Sequence, residues 1–262
     1  MISRLSELLF ELNGSRNVLY QLVTQQLILR YRRTALGYLW TLINPLLMMS
    51  VMAVVFSSLF KTELKSFAVF LFAGMIPWTF FNSVVVQAGS SFIINEGLIK
   101  KIYLPKIIFP LSVCCALLID SALSFIALFS IVLVSGGSFT WTAFFVPVAF
   151  LLLFLFSFGV ALIMSVLTVF FRDLQYVVVI AMQGLFFLSP VLYKKDLLSG
   201  SIGWVVAMNP FNPFIELFRA SLYEATLPSI HTLTQAISFA IISMACGLFI
   251  FSRQEKKIIF RL

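Results

Sequence analysis

Between Arg33 and Lys61 the chain has no charged side chain, and there is none between Lys65 and Glu96. Residues 107–171 contain a single one, Asp120. A bilayer core of about 30 Å needs about 20 consecutive, mostly apolar helical residues. The first two runs therefore predict spans over 36–59 and 67–90. The third is too long for one span and is divided at Ser135-Gly136-Gly137-Ser138, where paired glycines disfavour a continuing helix. This gives spans over 107–134 and 142–169. A fifth is expected over 174–192, between Asp173 and Lys194, and a sixth over 232–251, stopping at Ser252-Arg253.

Composition excludes the soluble alternative. Of the 262 residues 61% are hydrophobic and 11% are charged, whereas a soluble domain has roughly 25% charged residues to cover its surface. The 30 phenylalanines suit a lipid-facing surface and would form aggregation-prone patches in water. No loop has room for a second domain. No short apolar core with a small-residue cleavage site precedes the first span, so that span is expected to act as its own insertion signal. Cys114, Cys115 and Cys246 lie in apolar segments without metal-ligand spacing and read as small buried hydrophobes.

Basic residues set the orientation. With the N-terminus inside, 13 lysines and arginines fall on the cytoplasmic side: those of residues 1–35, then Lys100, Lys101, Lys106, Arg172, Arg253, Lys256, Lys257 and Arg261. Only 5 fall outside: Lys61, Lys65, Lys194, Lys195 and Arg219. The expected fold is an all-α integral membrane domain of six transmembrane helices with both ends cytoplasmic. Because the net charge of +8 follows this topology, it gives little support to nucleic-acid binding.

Three segments outside the spans are more apolar than ordinary loops. Residues 3–12 and 15–33 read as helices separated by Asn13-Gly14. Tyr20, Val23, Leu27 and Tyr31 share a stripe on the second, and Arg30, Arg32 and Arg33 follow, as in an interfacial helix with arginines at the headgroups. The cytoplasmic loop 91–106 mixes Phe92, Ile93, Ile94, Leu98, Ile99 and Tyr103 with charge, as a segment docking on the membrane surface or on a partner would. The external segment holds Trp204-Val205-Val206-Ala207-Met208, then Asn209-Pro210-Phe211-Asn212-Pro213, then a helical stretch over 214–223. Two short apolar helices broken by Asn-Pro turns suggest a re-entrant or interfacial hairpin, with Pro213 at the start of the second. Glu216 and Arg219, three apart, can pair on one face, either at headgroup level or as part of a gate.

Catalytic signals are sparse. His231 reads as a headgroup-level polar residue. There is no nucleophile elbow, His/Cys metal cluster or phosphate-binding Gly-x-x-x-x-Gly-Lys-Ser/Thr loop. Asp120 is the one acid near the middle of a span, and such groups default to functional candidates. A proton relay would need further ionisable groups at similar depth, so hydrogen bonds to Ser121, Ser124 or Gln183 are the expected role. An ion-coupled transporter or flippase using Asp120 is the alternative reading. Aromatics cluster at span ends: Tyr38 and Trp40, Trp78, Phe80 and Phe81, Trp141, Phe186 and Phe187, Tyr193 and Trp204. They fit an interfacial belt, or a pathway whose rings contact the apolar C–H faces of sugars.

The run from Leu29 to Trp40 (LRYRRTALGYLW), followed by Asn44-Pro45-Leu46, resembles the start of bacterial polysaccharide ABC-exporter permeases of the ABC-2 type. These are the membrane subunits for export of O-antigen, capsule and teichoic acid. Further similar runs follow in the family's order: 72–78 (FAGMIPW), 98–106 (LIKKIYLPK), 170–173 (FFRD), 189–193 (SPVLY) and 209–211 (NPF).

The resemblance implies a single domain over 1–262 in the bacterial cytoplasmic (inner) membrane. It implies a homodimer of this chain with two ATPase subunits that bind ATP and Mg, no cofactor in the chain itself, and an undecaprenyl-linked glycan as substrate. It implies a cytoplasmic coupling helix within 91–106, with Glu96, Leu98, Lys100 and Lys101 as its residues, assisted by Arg172 and the N-terminal helix. It implies external gate helices over 197–224, with Trp204, Phe211, Glu216 and Arg219, and a pathway lined by Tyr38, Trp40, Phe186, Phe187 and Tyr193. Joint replacement of Arg30, Arg32 and Arg33 is expected to abolish correct orientation or complex assembly, measured by topology reporters and co-purification. Full activity would count against their interfacial role.

Overall fold

The computed structural model describes residues 14–30, 34–134, 140–195 and 200–262. The expected helix over 3–12, the turn at 135–138, and Tyr31, Arg32 and Arg33 lie outside them. The described elements are helical: α1 (Arg16–Arg30), α2 (Trp40–Phe60), α3 (Leu64–Gly89), α4 (Ser91–Ile94), α5 (Glu96–Lys101), α6 (Ile108–Val134), α7 (Val146–Phe170), α8 (Leu174–Leu188), α9 (Gly200–Ala207), α10 (Asn212–Leu222) and α11 (Ile230–Arg261). Short 3-10 turns at Gly37–Leu39 and Trp141–Phe145 lead into α2 and α7.

Among the described residues, five stretches are long and apolar enough to cross a bilayer: Gly37–Phe60, Leu64–Gly89, Ile108–Ala127, Trp141–Phe170 and Ile230–Arg261. The chain is a multi-pass helical membrane protein. The stretch expected over 174–192 differs: α8 has 15 residues and ends at Leu188, a length of about 22 Å at 1.5 Å per residue. Pro190 is the reason, since a residue before proline is pushed out of the helical region, and Ser189 is extended at ψ 134°. The last helix runs ten residues past the expected stop at 251, because Gln254, Glu255, Lys256 and Lys257 are good helix formers. Its continuation is anchored, with Phe251 and Ile258 fully buried and the Phe251 ring 6.4 Å from that of Phe92 on α4.

Helix α3 is the centre of the bundle. In its most apolar stretch 72% of residues are buried, against 17% for α2 and 22% for α11. Helices α2, α6, α7, α8 and α10 all pack on it, which leaves one side each of α2 and α11 to face lipid or another chain. Helix α1 lies along α6. Its packed face is Val18, Leu19 and Leu22, with Gln26 Nε2 donating to Ser112 Oγ at 3.0 Å. The expected stripe through Tyr20 is not that face, because Tyr20 is 73% exposed.

Helix α7 approaches α11 through their backbones. A Cβ on Gly159 would lie 2.4 Å from the backbone of Ser243, and one on Gly247 would lie 2.4 Å from the carbonyl oxygen of Gly159. Ser243 Oγ donates to Phe156 O at 2.8 Å across the same contact. Ser243 and Gly247 are four apart, the small-residue spacing that lets membrane helices approach through their backbones. A side chain at either glycine forces the helices apart, and overpacking of this kind costs about 1–3 kcal/mol. Gly159→Val and Gly247→Val are therefore expected to lower the thermal midpoint of the detergent-purified protein. Gly184→Ala on α8, where a Cβ meets nothing within 4 Å, should leave it unchanged.

Candidate functional site

Call the end of the bundle that carries Lys100 and Lys101 the basic end. From the opposite end, α10 packs into the bundle against α3, α7 and α11, and α9 joins it through a tight turn with Trp204, Val205 and Met208 exposed. Phe211, at the hairpin's turn, is 1% exposed and stacks on Phe81 at 4.8 Å and edge-on to Trp78 at 5.4 Å. Phe214 stacks on Phe156 of α7 at 4.7 Å, and Phe218 meets Phe150 at 4.9 Å. At the other end of α10 the Arg219 guanidinium sits 3.7 Å over the Phe70 ring. Phe81 lies 17 residues into α3 from Leu64, so the turn reaches about 25 Å along that helix. The turn at Phe211 is thus buried against the middle of α3.

The hairpin covers the broken end of α8. Asn209 Nδ2 donates to Ser189 Oγ at 2.8 Å and to Leu188 O at 3.3 Å, and Asn209 Oδ1 accepts from Phe211 N at 2.9 Å. One amide thus serves both the helix end and the hairpin turn. Asn212 Nδ2 donates to Val206 O and closes the turn between α9 and α10. Sequence reasoning passed over both asparagines as turn formers, although the paired Asn-Pro dipeptides were the available signal.

The expected Glu216–Arg219 pair is not formed. Glu216 takes Lys195 as its ion partner and accepts from Thr232 Oγ1 at 3.2 Å. Arg219 is 7% exposed and donates through Nη2 to Val191 O at 2.7 Å. Three residues apart, the two side chains diverge because α10 is wedged between α3 on one side and the start of α11 on the other. Gly74 makes room for the guanidinium, which lies 3.2 Å from where a Cβ would be. Trp204 on α9 is 73% exposed.

The aromatic candidates fall into separate places. Phe186 lies 5.5 Å from Trp78 and 5.4 Å from Phe187, and Tyr193 Oη donates to Phe187 O at 2.8 Å. These three gather at the broken end of α8, where Phe187 is 68% exposed. Tyr38 instead donates to Asp120 Oδ1 at 2.5 Å. Gly37, at φ +53°, gives the turn that brings Tyr38 there. Asp120 is thus bound by Tyr38, a partner not expected from the sequence. Ser124 Oγ bonds the main-chain oxygen of Asp120 at 2.9 Å, and Gln183 is exposed on α8. Trp40 opens α2 with 38% exposure.

At the basic end, α4 and α5 form a short helical bracket between α3 and α6. Phe92 is fully buried beside Phe109 and Phe251, and Ile99 is buried. Ile94, Ile102 and Tyr103 are exposed at 75%, 53% and 87%. Glu96 and Lys100 pair at 2.5 Å along α5. The hydrogen bond and charge of Lys100 hold the Glu96 carboxyl below its ordinary pKa, with a smaller contribution from Arg172. The pair is therefore intact at neutral pH and is lost only as pH falls through that lowered value. Leu98 is partly buried against the core, while Lys101 and Arg172 are exposed.

Residues 17–223 match the model of the ABC-2 type transporter family. An O-antigen export system permease protein RfbA of Myxococcus xanthus is 30% identical over 249 residues, covering 94% of this chain and 96% of the relative. The protein of the same name in Klebsiella pneumoniae is 30% identical over 213 residues, covering 80% and 82%. The polysialic acid transport protein KpsM of Escherichia coli is 24% identical over 234 residues, covering 87% and 89%.

The matched region takes in the hairpin and its polar caps. Asn209→Ala removes both bonds to the end of α8, including the buried one to Ser189 Oγ, a loss of about 1–3 kcal/mol. It is expected to lower the midpoint of chemical denaturation in detergent. Glu216→Gln, at a half-exposed pair, should cost less than about 1 kcal/mol.

Proposed function

The chain belongs to the ABC-2 type transporter family, and from that premise we propose that it is the membrane-spanning subunit of a polysaccharide ABC exporter. The observation that carries this is the near full-length similarity to permeases named for O-antigen export, joined by a polysialic acid transport protein. The architecture suits the work: a multi-pass bundle with a short, broken helix and a buried turn at Phe211 packed against its centre.

In this reading a separate ATPase subunit drives transport, since the sequence carries no phosphate-binding loop. Two copies of the chain pair with two ATPase subunits in the bacterial cytoplasmic membrane, with both ends of each chain cytoplasmic. The basic end then faces the ATPase. The bracket α4–α5 suits a coupling element because its apolar residues divide in two: Phe92 and Ile99 lock it to the bundle, while Ile94, Ile102 and Tyr103 stay outside for a partner. The hairpin α9–α10 serves as the outer gate, and the aromatics at the end of α8 line the pathway. The cargo is a lipid-linked glycan.

Co-expression with an ATPase subunit of a polysaccharide exporter tests this reading. The two chains are expected to co-purify, and ATP turnover should change when the permease joins the ATPase. A chain that neither binds an ATPase nor alters its turnover would sink the proposal. Replacing Ile94 and Tyr103 together by serine is expected to weaken co-purification severalfold with the permease still inserted in the membrane.

A further inference from the structure

A cavity of about 380 Å³ opens between α2, α3 and α6. Each helix gives it one stripe. Thr41, Asn44, Pro45 and Met48 come from α2, at i, i+3, i+4 and i+7, and Leu117, Asp120, Ser121 and Ser124 repeat that spacing on α6. Met75, Thr79 and Ser83 of α3 complete the wall. Asp120 lies 12 residues from the start of α6, about 18 Å along it, so the cavity sits at membrane depth.

Its lining decides what fits there. Acyl chains would leave the Asn44 amide and the Ser83 hydroxyl without partners, at a cost for each. Asn44 is exposed on a face of α2 that is otherwise mostly apolar, so that face meets something polar at this depth. A bare cation needs far less room than the cavity offers, and the carboxylate already accepts the Tyr38 hydroxyl. Thr41, Thr79 and Ser124 donate to main-chain oxygens of their own segments at 2.6, 3.0 and 2.9 Å, which leaves their oxygens as acceptors. Acceptors along one edge and methionine, leucine and proline beside them match a sugar ring, with O–H donors at its rim and C–H on its face. The volume falls within the roughly 300–1,000 Å³ of ligand pockets.

We infer that this cavity is a sugar-binding subsite of the pathway, in which Asp120, Asn44 and Ser83 take the hydroxyls of a passing ring and Tyr38 holds the Asp120 carboxylate in place. The inference rests on the exporter reading above. Its role is to give a sliding polymer a shallow polar resting place at a depth where the surrounding bundle is apolar.

The test uses the full chain with its ATPase, with Cys114, Cys115 and Cys246 replaced by alanine and either Asn44→Cys or Ser83→Cys added. The probe is a charged, water-soluble methanethiosulfonate. Both thiols are expected to react, and to react about threefold to tenfold more slowly in cells that make the glycan than in cells lacking its first glycosyltransferase. Absence of reaction at both positions would show a dry cavity and overturn the inference. Equal rates with and without glycan would also overturn it, and if ATPase binding persists the exporter reading survives. Protection by sodium over choline chloride without glycan would assign the cavity to a cation instead. Ser83→Cys exchanges one oxygen for sulfur, so it keeps the test open should Asn44→Cys fail to fold.

Discussion

Inside the apolar layer of a bilayer no water is available to a free N–H or C=O, so any break in a helix there must be paired by protein. Helix α8 carries such a break. It stops at Leu188 because Pro190 follows, well short of the length that spans a bilayer. The Asn209 amide then reaches the Leu188 carbonyl and the Ser189 hydroxyl. Pairing of this kind is what the gate role proposed for the hairpin would require of it. A hairpin resting on the bundle's end would leave the break uncovered, whereas one turned in to the level of Phe81 closes it.

Rings hold the hairpin along its length and polar bonds fix its register. Phe211, Phe214 and Phe218 stack on α3 and α7, contacts that tolerate small displacements. Arg219 to the Val191 carbonyl, Thr142 to the Ser221 carbonyl at 2.8 Å, and Glu216 to Lys195 are directional and set where it stops. The backbone contact at Gly159 and Gly247 gives α7 a rigid backing on the other side. A hairpin with an apolar track and a few polar stops is physically suited to the gate role proposed for it.

Most of the helical stretches were legible as charge-free runs, since runs of that length have few other solutions in water or lipid. The α8 break was also written in the chain, as Ser189-Pro190, but a count of apolar residues carried the expected span past it to 192. The last helix continues beyond the span expected over 232–251 for a different reason. Charge at Arg253 ends a membrane span but does not end a helix. The Glu216–Arg219 pair misled because spacing along one helix says which residues are neighbours, not which of them an adjacent helix draws away.

By itself the sequence determined that this chain enters a bilayer, that its interior has one acid and many rings, and that two segments outside the long spans are too apolar to be plain loops. These follow from the transfer cost of each side chain, a property the residue carries alone. Tertiary structure decided that Tyr38 binds Asp120, that Lys195 takes Glu216, and that stripes on three helices enclose one polar cavity. Such pairings depend on how helices distant in sequence are rotated against one another, and that rotation is set by close contacts such as Gly159 against Ser243 rather than by periodicity within one element.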